Sequence, residues 1–459
     1  MRAVVIGSGP NGLCAAIELV GAGFDVRVIE GAAEPGGGCR SGPLDVPGFV
    51  HDHCSAIHPM ARLSEAITAL PLEEHGLRWI DPDAPLAHPF DGGRVAVQAR
   101  DLGAMPEAWQ RAFEPFVRRA DELFVDALAP PGIPHSPLLM ARLGVDAVRS
   151  ALSFTNSFDD PDLKALFLGL AGHSVLPLET AGSSAIGLAL GIAAHHVGWP
   201  FPEGGAGALS RALIGHLESL GGVVETGRWI ASLEDLPEDA LVLFDTSPAA
   251  MVRIAGEALP TRYTDKLARF RHGPGLCKVD YVLDEPIPWE NPACARAATV
   301  HLGGPAEALL ASERACWEGR VEEQPLVLLT QCSLFDSSRG EHTAWAYCHV
   351  PAGSDQDVSE RIEAQIERFA PGFGDVVQYR HVTTAAGLER LNPNYIGGDV
   401  NGGAATLDQI WTRPLGWGEP WATPNPRLFL CSASTPPGGG VHGLCGLHAA
   451  RSAIRRRTR

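Results

Sequence analysis

Apolar positions along this chain follow two periods, and the change between them divides it. Short unbroken apolar runs at 2–6, 25–29, 240–244 and 427–431 predict buried strands. Runs at 277–283, 326–332 and 343–350 are longer and alternate, as strands of a mixed sheet do. Helical spacing takes over at 13–22, at 106–128, where Trp109, Phe113, Phe116, Leu123 and Phe124 share a face, and at 162–170. A further helix at 355–369 opens with acid and closes before Pro371-Gly372. Segment 181–197 is small and apolar, ending in His195-His196, and reads as a packed core helix or the wall of a greasy cavity. The proline-rich break at 129–134 separates helices. Residues 200–256 run from a glycine loop through a helix ending at Leu220, then Gly221-Gly222, then strands at 223–226, Trp229-Ile230 and 240–244. That order resumes a βαβ sheet after an insertion. The expected fold class is α/β: a discontinuous Rossmann-type domain from 1–60, 200–256 and 405–459, with an inserted α+β substrate domain, partly helical, from 61–199 and 257–404.

Between the first two strands lies Gly7-Ser8-Gly9-Pro10-Asn11-Gly12. Gly7 makes the turn, Gly9 lets backbone approach a pyrophosphate, and Gly12 lets helix and strand pack closely. The helix N-terminus, with Pro10 and Asn11, then offers free N–H groups and a positive dipole end to an anion. Glu30 follows at about the twenty-residue spacing where an acid binds both ribose hydroxyls and disfavours a 2′-phosphate, so FAD or NAD is expected over NADP.

Composition narrows the partners. The formal charge of −18 argues against nucleic-acid binding, which needs a basic face. Only the end of the chain is basic, Arg451 and the run Arg455-Arg456-Arg457-Thr458-Arg459, which reads as a solvated terminus or as a contact to a membrane surface. Ten cysteines are scattered without a CxxC or a zinc spacing, and the first strand begins at residue 2, so a reducing, cytoplasmic location is expected. No apolar run reaches membrane-spanning length.

A second glycine loop at 31–41 suggests backbone that again comes close to a cofactor, with Arg40 available for a phosphate. His51, Asp52 and His53 are dense in proton-transfer groups, in a spacing that matches no metal motif. Near the end, Ser434-Thr435-Pro436-Pro437-Gly438-Gly439-Gly440-Val441-His442-Gly443 links a buried strand to a last helix. Glycine-loop N–H groups at a helix N-terminus suit the negative charge that a reduced flavin carries.

These pieces, with Val50-His51-Asp52, Gly198 to Gly207, Gly221-Gly222, Asp245-Thr246-Ser247-Pro248 and Trp411-Thr412-Arg413-Pro414, resemble the FAD-dependent amine oxidase and phytoene desaturase superfamily across the whole chain. The likeness is strongest to its phytoene-dehydrogenase-related branch, which includes the pyridine nucleotide-disulfide oxidoreductase domain 2 proteins. The resemblance implies that Gly37, Gly38 and Arg40 line the FAD diphosphate, that Ile230 holds adenine through its backbone, and that Gly439, Gly440, Val441 and His442 lie against the flavin ring. Where several relatives carry Gly-Ala-Gly or Gly-Asp, this chain has Cys431-Ser432-Ala433-Ser434.

With no second GxGxxG directly after a strand and no CxxxxC pair, one flavin must both receive and release electrons. The leading expectation is a desaturase or dehydrogenase acting on a hydrophobic or amphipathic small molecule, with oxygen, a quinone or another acceptor reoxidising the flavin. His442 is the first candidate base, His51, Asp52 and His53 a second group, and Arg413 an electrostatic neighbour. Two alternatives stay open: a polyene isomerase or saturase that holds reduced flavin, and a non-enzymatic prenyl and partner binder resembling the Rab GDP dissociation inhibitors.

Overall fold

A computed structural model describes residues 1–416 and 418–457, apart from the side chain of Trp411; Thr458 and Arg459 of the basic run and the side chain of Trp411 lie outside the described residues. Five parallel strands form one sheet in the order Leu428–Leu430, Leu241–Phe244, Arg2–Ile6, Asp25–Ile29, Val223–Glu225. Both faces are covered, which is why the strand runs are unbroken rather than alternating. Val5, Val28 and Leu243 pack under the helices Pro10–Gly21, Gly207–Ser219 and Leu444–Arg457. Val4, Ile6 and Phe244 pack instead on Met251 and Ile254 of the helix Pro248–Ala255. The chain has the mixed α/β fold with a Rossmann-like parallel sheet.

The second sheet has seven strands in the order Val377–Thr383, Gly275–Leu283, Thr343–Val350, Val327–Thr330, Ala297–Leu302, Ala84–Phe90, Arg94–Gln98. One face, through Cys277, Val279, Ala346 and Cys348, buries against Ile362, Ile366 and Phe369 of the helix Ser359–Phe369. The other looks toward a helical layer that includes Glu107–Val117, Pro161–Gly172 and Ser184–His196, and it carries Lys278, Asp280, Trp345 and Tyr347.

Several expectations are corrected. The first helix starts at Pro10, which, lacking an N–H, sits well at the first helical position after Gly9. The expected helix over 106–128 is two, Glu107–Val117 and Ala120–Ala127. Both bury the same stripe, Trp109, Phe113, Phe116, Ala120, Leu123 and Phe124, so the apolar spacing runs through the break unchanged. Trp229 and Ile230 are not a strand: they lie outside the sheets, with Arg228 N–H held by the Glu30 carbonyl at 2.9 Å. The acidic start at 355–358 precedes the helix, where Asp357 accepts from the Ser359 amide.

The last helix lies on the first. A Cβ on Gly446 would come within 1.7 Å of the Asn11 carbonyl oxygen, so only glycine allows this approach. Arg451 secures the pair by reaching Glu18 at 3.1 Å and Glu65 at 2.7 Å. Arg456 pairs with Glu419, so two cations of the basic end already meet acids of the same chain. Among the described residues no helix is long and apolar enough to cross a membrane.

Candidate cofactor and active site

Gly7 turns the chain with φ 101°, its amide bonded to the Ile29 carbonyl at 2.8 Å, and this sets the end of the first strand against the second. A Cβ on Gly12 would stand 2.3 Å from the Gly7 carbonyl oxygen, so the helix starts as close to the turn as backbone permits. Glu30, at the end of the second strand, accepts from the Ser8 amide at 3.0 Å and hydroxyl at 2.6 Å, and from the Ala32 amide at 2.9 Å. The Ser8 hydroxyl in turn accepts from the Gly36 amide at 3.0 Å, tying the two glycine loops together. Arg40 curls back so that Nε donates to the Gly37 carbonyl at 3.0 Å.

One elongated pocket collects these groups. It is lined by Gly7, Gly9, Pro10, Asn11, Glu30, Gly37, Gly38, Arg40, Ile230, Ser434, Gly439, Gly440 and Val441, drawn from four distant parts of the sequence. Gly12 and His442 support it from behind rather than line it. Val441 has φ 54°, a left-handed conformation that a β-branched residue adopts only when its surroundings enforce it. Three bonds do so. His442 Nε2 lies 3.0 Å from the Gly438 carbonyl, its Nδ1 accepts from the Leu444 amide at 3.0 Å, and the Ser64 hydroxyl donates to the His442 carbonyl at 2.5 Å.

The histidine expected as first base is therefore corrected. Both ring nitrogens of His442 are committed, the ring is buried, and burial pulls its pKa down to about 4 against the opposing Gly438 carbonyl. It braces the loop instead. Asp52 is likewise corrected: its carboxylate accepts from Ser41 at 2.6 Å, the Ala206 amide at 2.7 Å and Arg339 at 2.6 Å, all out of the pocket. Burial would raise its pKa, and Arg339 with Ser41 more than offsets this and holds it below the carboxylate range. Arg413 is buried behind the loop rather than facing the pocket, donating to the Gly403 carbonyl at 2.8 Å, and burial lowers its pKa despite nearby Asp399. Of the other expected bases, His53 keeps a buried Nε2 without a hydrogen-bond partner among the described residues. His51 brings Nδ1 to 3.6 Å from Asp280.

Tyr395, Lys278 and Asp280 escaped the sequence reading, and Asp245 entered it only as part of the resemblance, with no role. Asp245 ends the strand next to the glycine turn and accepts from the Gly12 amide at 2.9 Å; burial raises its pKa to about 7, with nearby Glu30 adding to the rise. Tyr395 closes over the second glycine loop, its hydroxyl 2.4 Å from where a Cβ on Gly38 would stand, and it bonds Cys54. Lys278 and Asp280 form a buried ion pair at 2.5 Å. Their signal was available: two charges sit two apart in 275–283, a run whose every other residue suits a buried strand.

A pocket that runs from an acid and the Ile230 segment, past two glycine loops, to a strained glycine-rich loop at a helix start suits an extended flavin or nucleotide cofactor. The comparisons agree with that fold. A family model described as an NAD(P)-binding Rossmann-like domain matches residues 5–70. Solved structures with the same overall fold include an oxidoreductase from Methanosarcina mazei, at TM-score 0.63, 16% identity, and coverage of 99% of this chain and 100% of that one. Another is a triple mutant of putrescine oxidase, at TM-score 0.64, 17% identity, and coverage of 100% and 99%. Among curated proteins, the chain is similar over its full length to pyridine nucleotide-disulfide oxidoreductase domain-containing protein 2 of Rattus norvegicus. The two are 24% identical over 551 residues, covering 99% of this chain and 93% of the relative, and the Mus musculus protein matches to the same degree.

Proposed function

We propose that the protein is an FAD-dependent oxidoreductase of the phytoene-dehydrogenase-related branch, a desaturase or dehydrogenase that takes a hydride and a proton from a hydrophobic or amphipathic small molecule. Oxygen, a quinone or another acceptor then takes the electrons on. The observation that carries the reading is the single pocket uniting Glu30, both glycine loops and Gly439-Gly440-Val441, with the nucleotide fingerprint Gly7 to Gly12 directly after the first strand.

FAD, when bound, supplies the two-electron acceptor. The chain's own residues do the rest. Glu30 presents two carboxylate oxygens at the adenosine end, and the Pro10–Gly21 helix offers its N-terminus to the diphosphate. The braced loop at 438–443 fixes backbone N–H groups where negative charge gathers on reduction. Met60, within 3.4 Å of where a Cβ on Gly440 would stand and packed against the helical layer, brings apolar surface to that loop, which suits a greasy substrate. The test is the absorption spectrum of the purified protein, followed by anaerobic bleaching against a panel of polyenes, amines and cyclic amides. Bleaching by one class with net oxidation of it supports the reading. Isomerisation of a polyene by pre-reduced protein without net oxidation would favour the isomerase alternative, and a protein that takes up no flavin would favour the non-enzymatic one.

A further inference from the structure

Trp229 is 65% exposed, yet the backbone that carries it is fixed. Two main-chain bonds fasten its segment across the end of the second strand, one on each side of Gly31: the Gly227 amide donates to the Ala32 carbonyl at 2.8 Å and the Arg228 amide to the Glu30 carbonyl at 2.9 Å. Beyond the indole, the Asp235 carboxylate accepts from the Ala231 and Ser232 amides at 2.9 and 3.1 Å. The Arg228 side chain is committed as well, to Glu225 at 3.1 Å and to the Asp235 carbonyl at 2.8 Å. The place of Trp229 is therefore set before any ligand arrives.

Gly31 shows how the ring lies. A Cβ there would stand 2.5, 2.6 and 2.7 Å from Cδ2, Cε3 and Cε2 of Trp229. Cδ2 is bonded to the other two, so a point that close to all three lies over the face of the indole rather than at its edge. One face of the ring is thus seated flat on the Gly31 backbone. The φ of Gly31 is not in the positive region, so the turn itself does not ask for glycine; the indole does. Trp229 and Gly31 both line the cofactor pocket, together with Glu30, Ile230, Ala250 and Ile254. With one face seated, the ring has its other face and its edges to offer, beside the acid that suits a ribose and among apolar side chains that suit a flat base.

We propose that Trp229 is an aromatic plate on which the adenine ring of the bound dinucleotide stacks, and that Gly31 is a glycine in order to seat that plate. The inference rests on the cofactor reading above and deepens it: the chemistry recognised is the adenosine diphosphate half of the molecule, by stacking at the base and by the Glu30 carboxylate at the ribose. Stacking on an aromatic face adds affinity without reading the edge of the base. Because the seat and the main-chain bonds hold the plate in place, little ordering remains to be done on binding. Trp229 is a binding residue remote from the redox end of the pocket, so its effect falls on cofactor affinity.

The experiment is calorimetric titration of the full-length protein, stripped of cofactor, with FAD and separately with ADP. The variants are Trp229→Ala, Trp229→Phe, Gly31→Ala and Gly31→Ala combined with Trp229→Ala. Denaturation midpoints check folding, and a side chain this exposed should be removable without moving them. Trp229→Ala should weaken both ligands by about tenfold or more, as loss of one stacked base does. Trp229→Phe keeps a flat face and should recover most of that loss. Gly31→Ala displaces the ring and should weaken both ligands to a similar degree when Trp229 is present, but by less than about twofold once Trp229 is already alanine, since the two residues act through one contact. Unchanged binding of both ligands in Trp229→Ala overturns the proposal and leaves the FAD reading standing, and it does so even if Gly31→Ala fails to fold. Equal losses from Gly31→Ala in the two backgrounds overturn the seat. If ADP binds in a Trp229-dependent way but FAD is not taken up, the plate stands and the flavin reading is what fails; if neither ligand binds, both fall.

Discussion

Nε2 of His442 stands 3.0 Å from the carbonyl oxygen of Gly438, and with Nδ1 taken by the Leu444 amide the ring has no nitrogen left for a substrate proton. Its partners are the backbone of a loop that holds Val441 at φ 54°. His442→Ala should therefore act on cofactor retention. Each lost hydrogen bond is worth about 1 kcal/mol, so FAD affinity should fall by roughly tenfold or more, read by fluorescence titration of the apoprotein. The pH profile of flavin bleaching should keep its shape.

Asp245 gives a pH dependence with a definite sign. Its folded pKa of about 7 lies above the ordinary carboxylate value of 3.8, so its contribution to stability is complete below about 3.8 and is lost as pH rises through about 7. Asp245→Asn should remove that loss and be more stable than wild type above pH 7, in chemical denaturation of the apoprotein across the window. A pyrophosphate at the same turn adds like charge. FAD binding should thus weaken above about pH 7 in the wild type more steeply than in Asp245→Asn.

The histidines run the other way. His58, His88 and His442 are buried with pKa values lowered to about 4 by burial, so the stability they lend as neutral rings is present above about 6.5 and disappears as pH falls through about 4. Subtracting the Asp245→Asn denaturation curve from the wild-type curve separates the two effects.

Arg339 should be among the least replaceable side chains. It meets Asp52 at 2.6 Å and Asp336 at 3.0 Å, all essentially buried. Arg339→Met strands both carboxylates and should cost about 3–5 kcal/mol, measured as a lowered denaturation midpoint.

Gly446→Ala tests the meeting of the two ends. The added Cβ would lie 1.7 Å from the Asn11 carbonyl oxygen, which forces the first and last helices apart and should destabilise by about 3 kcal/mol or more. Gly144, in the helix Pro137–Ala147 with nothing within 4 Å, is the control. Gly144→Ala should instead stabilise by about 0.5–1 kcal/mol. Thermal melts of the two variants give the comparison.

The parallel strands, the glycine turn and the cofactor loop were legible because backbone requirements write themselves into residue type: a close approach demands glycine, and a strand covered on both faces demands an unbroken apolar run. Side-chain partnership leaves no such mark. His442 and His53 look alike in sequence, and only the fold shows that Gly438 and Leu444 occupy one ring while Nε2 of the other has no hydrogen-bond partner among the described residues. Asp52 read as a base because Arg339, which holds it, lies 287 residues away. The helix break at Arg118-Arg119 was hidden because both pieces bury one continuous stripe. Trp229 and Ile230 have strand-forming side chains, but the segment turns back to bond Glu30 before it can pair.

The claim beneath all of these is that the pocket from Glu30 to Val441 holds FAD. The direct measurement is the cofactor content of the purified protein, by spectrum and by acid extraction with mass analysis, before and after incubation with added FAD. The account predicts one FAD released per chain, and reduced retention in His442→Ala. A colourless protein that takes up no added FAD, or one that releases only a nicotinamide dinucleotide, would contradict it.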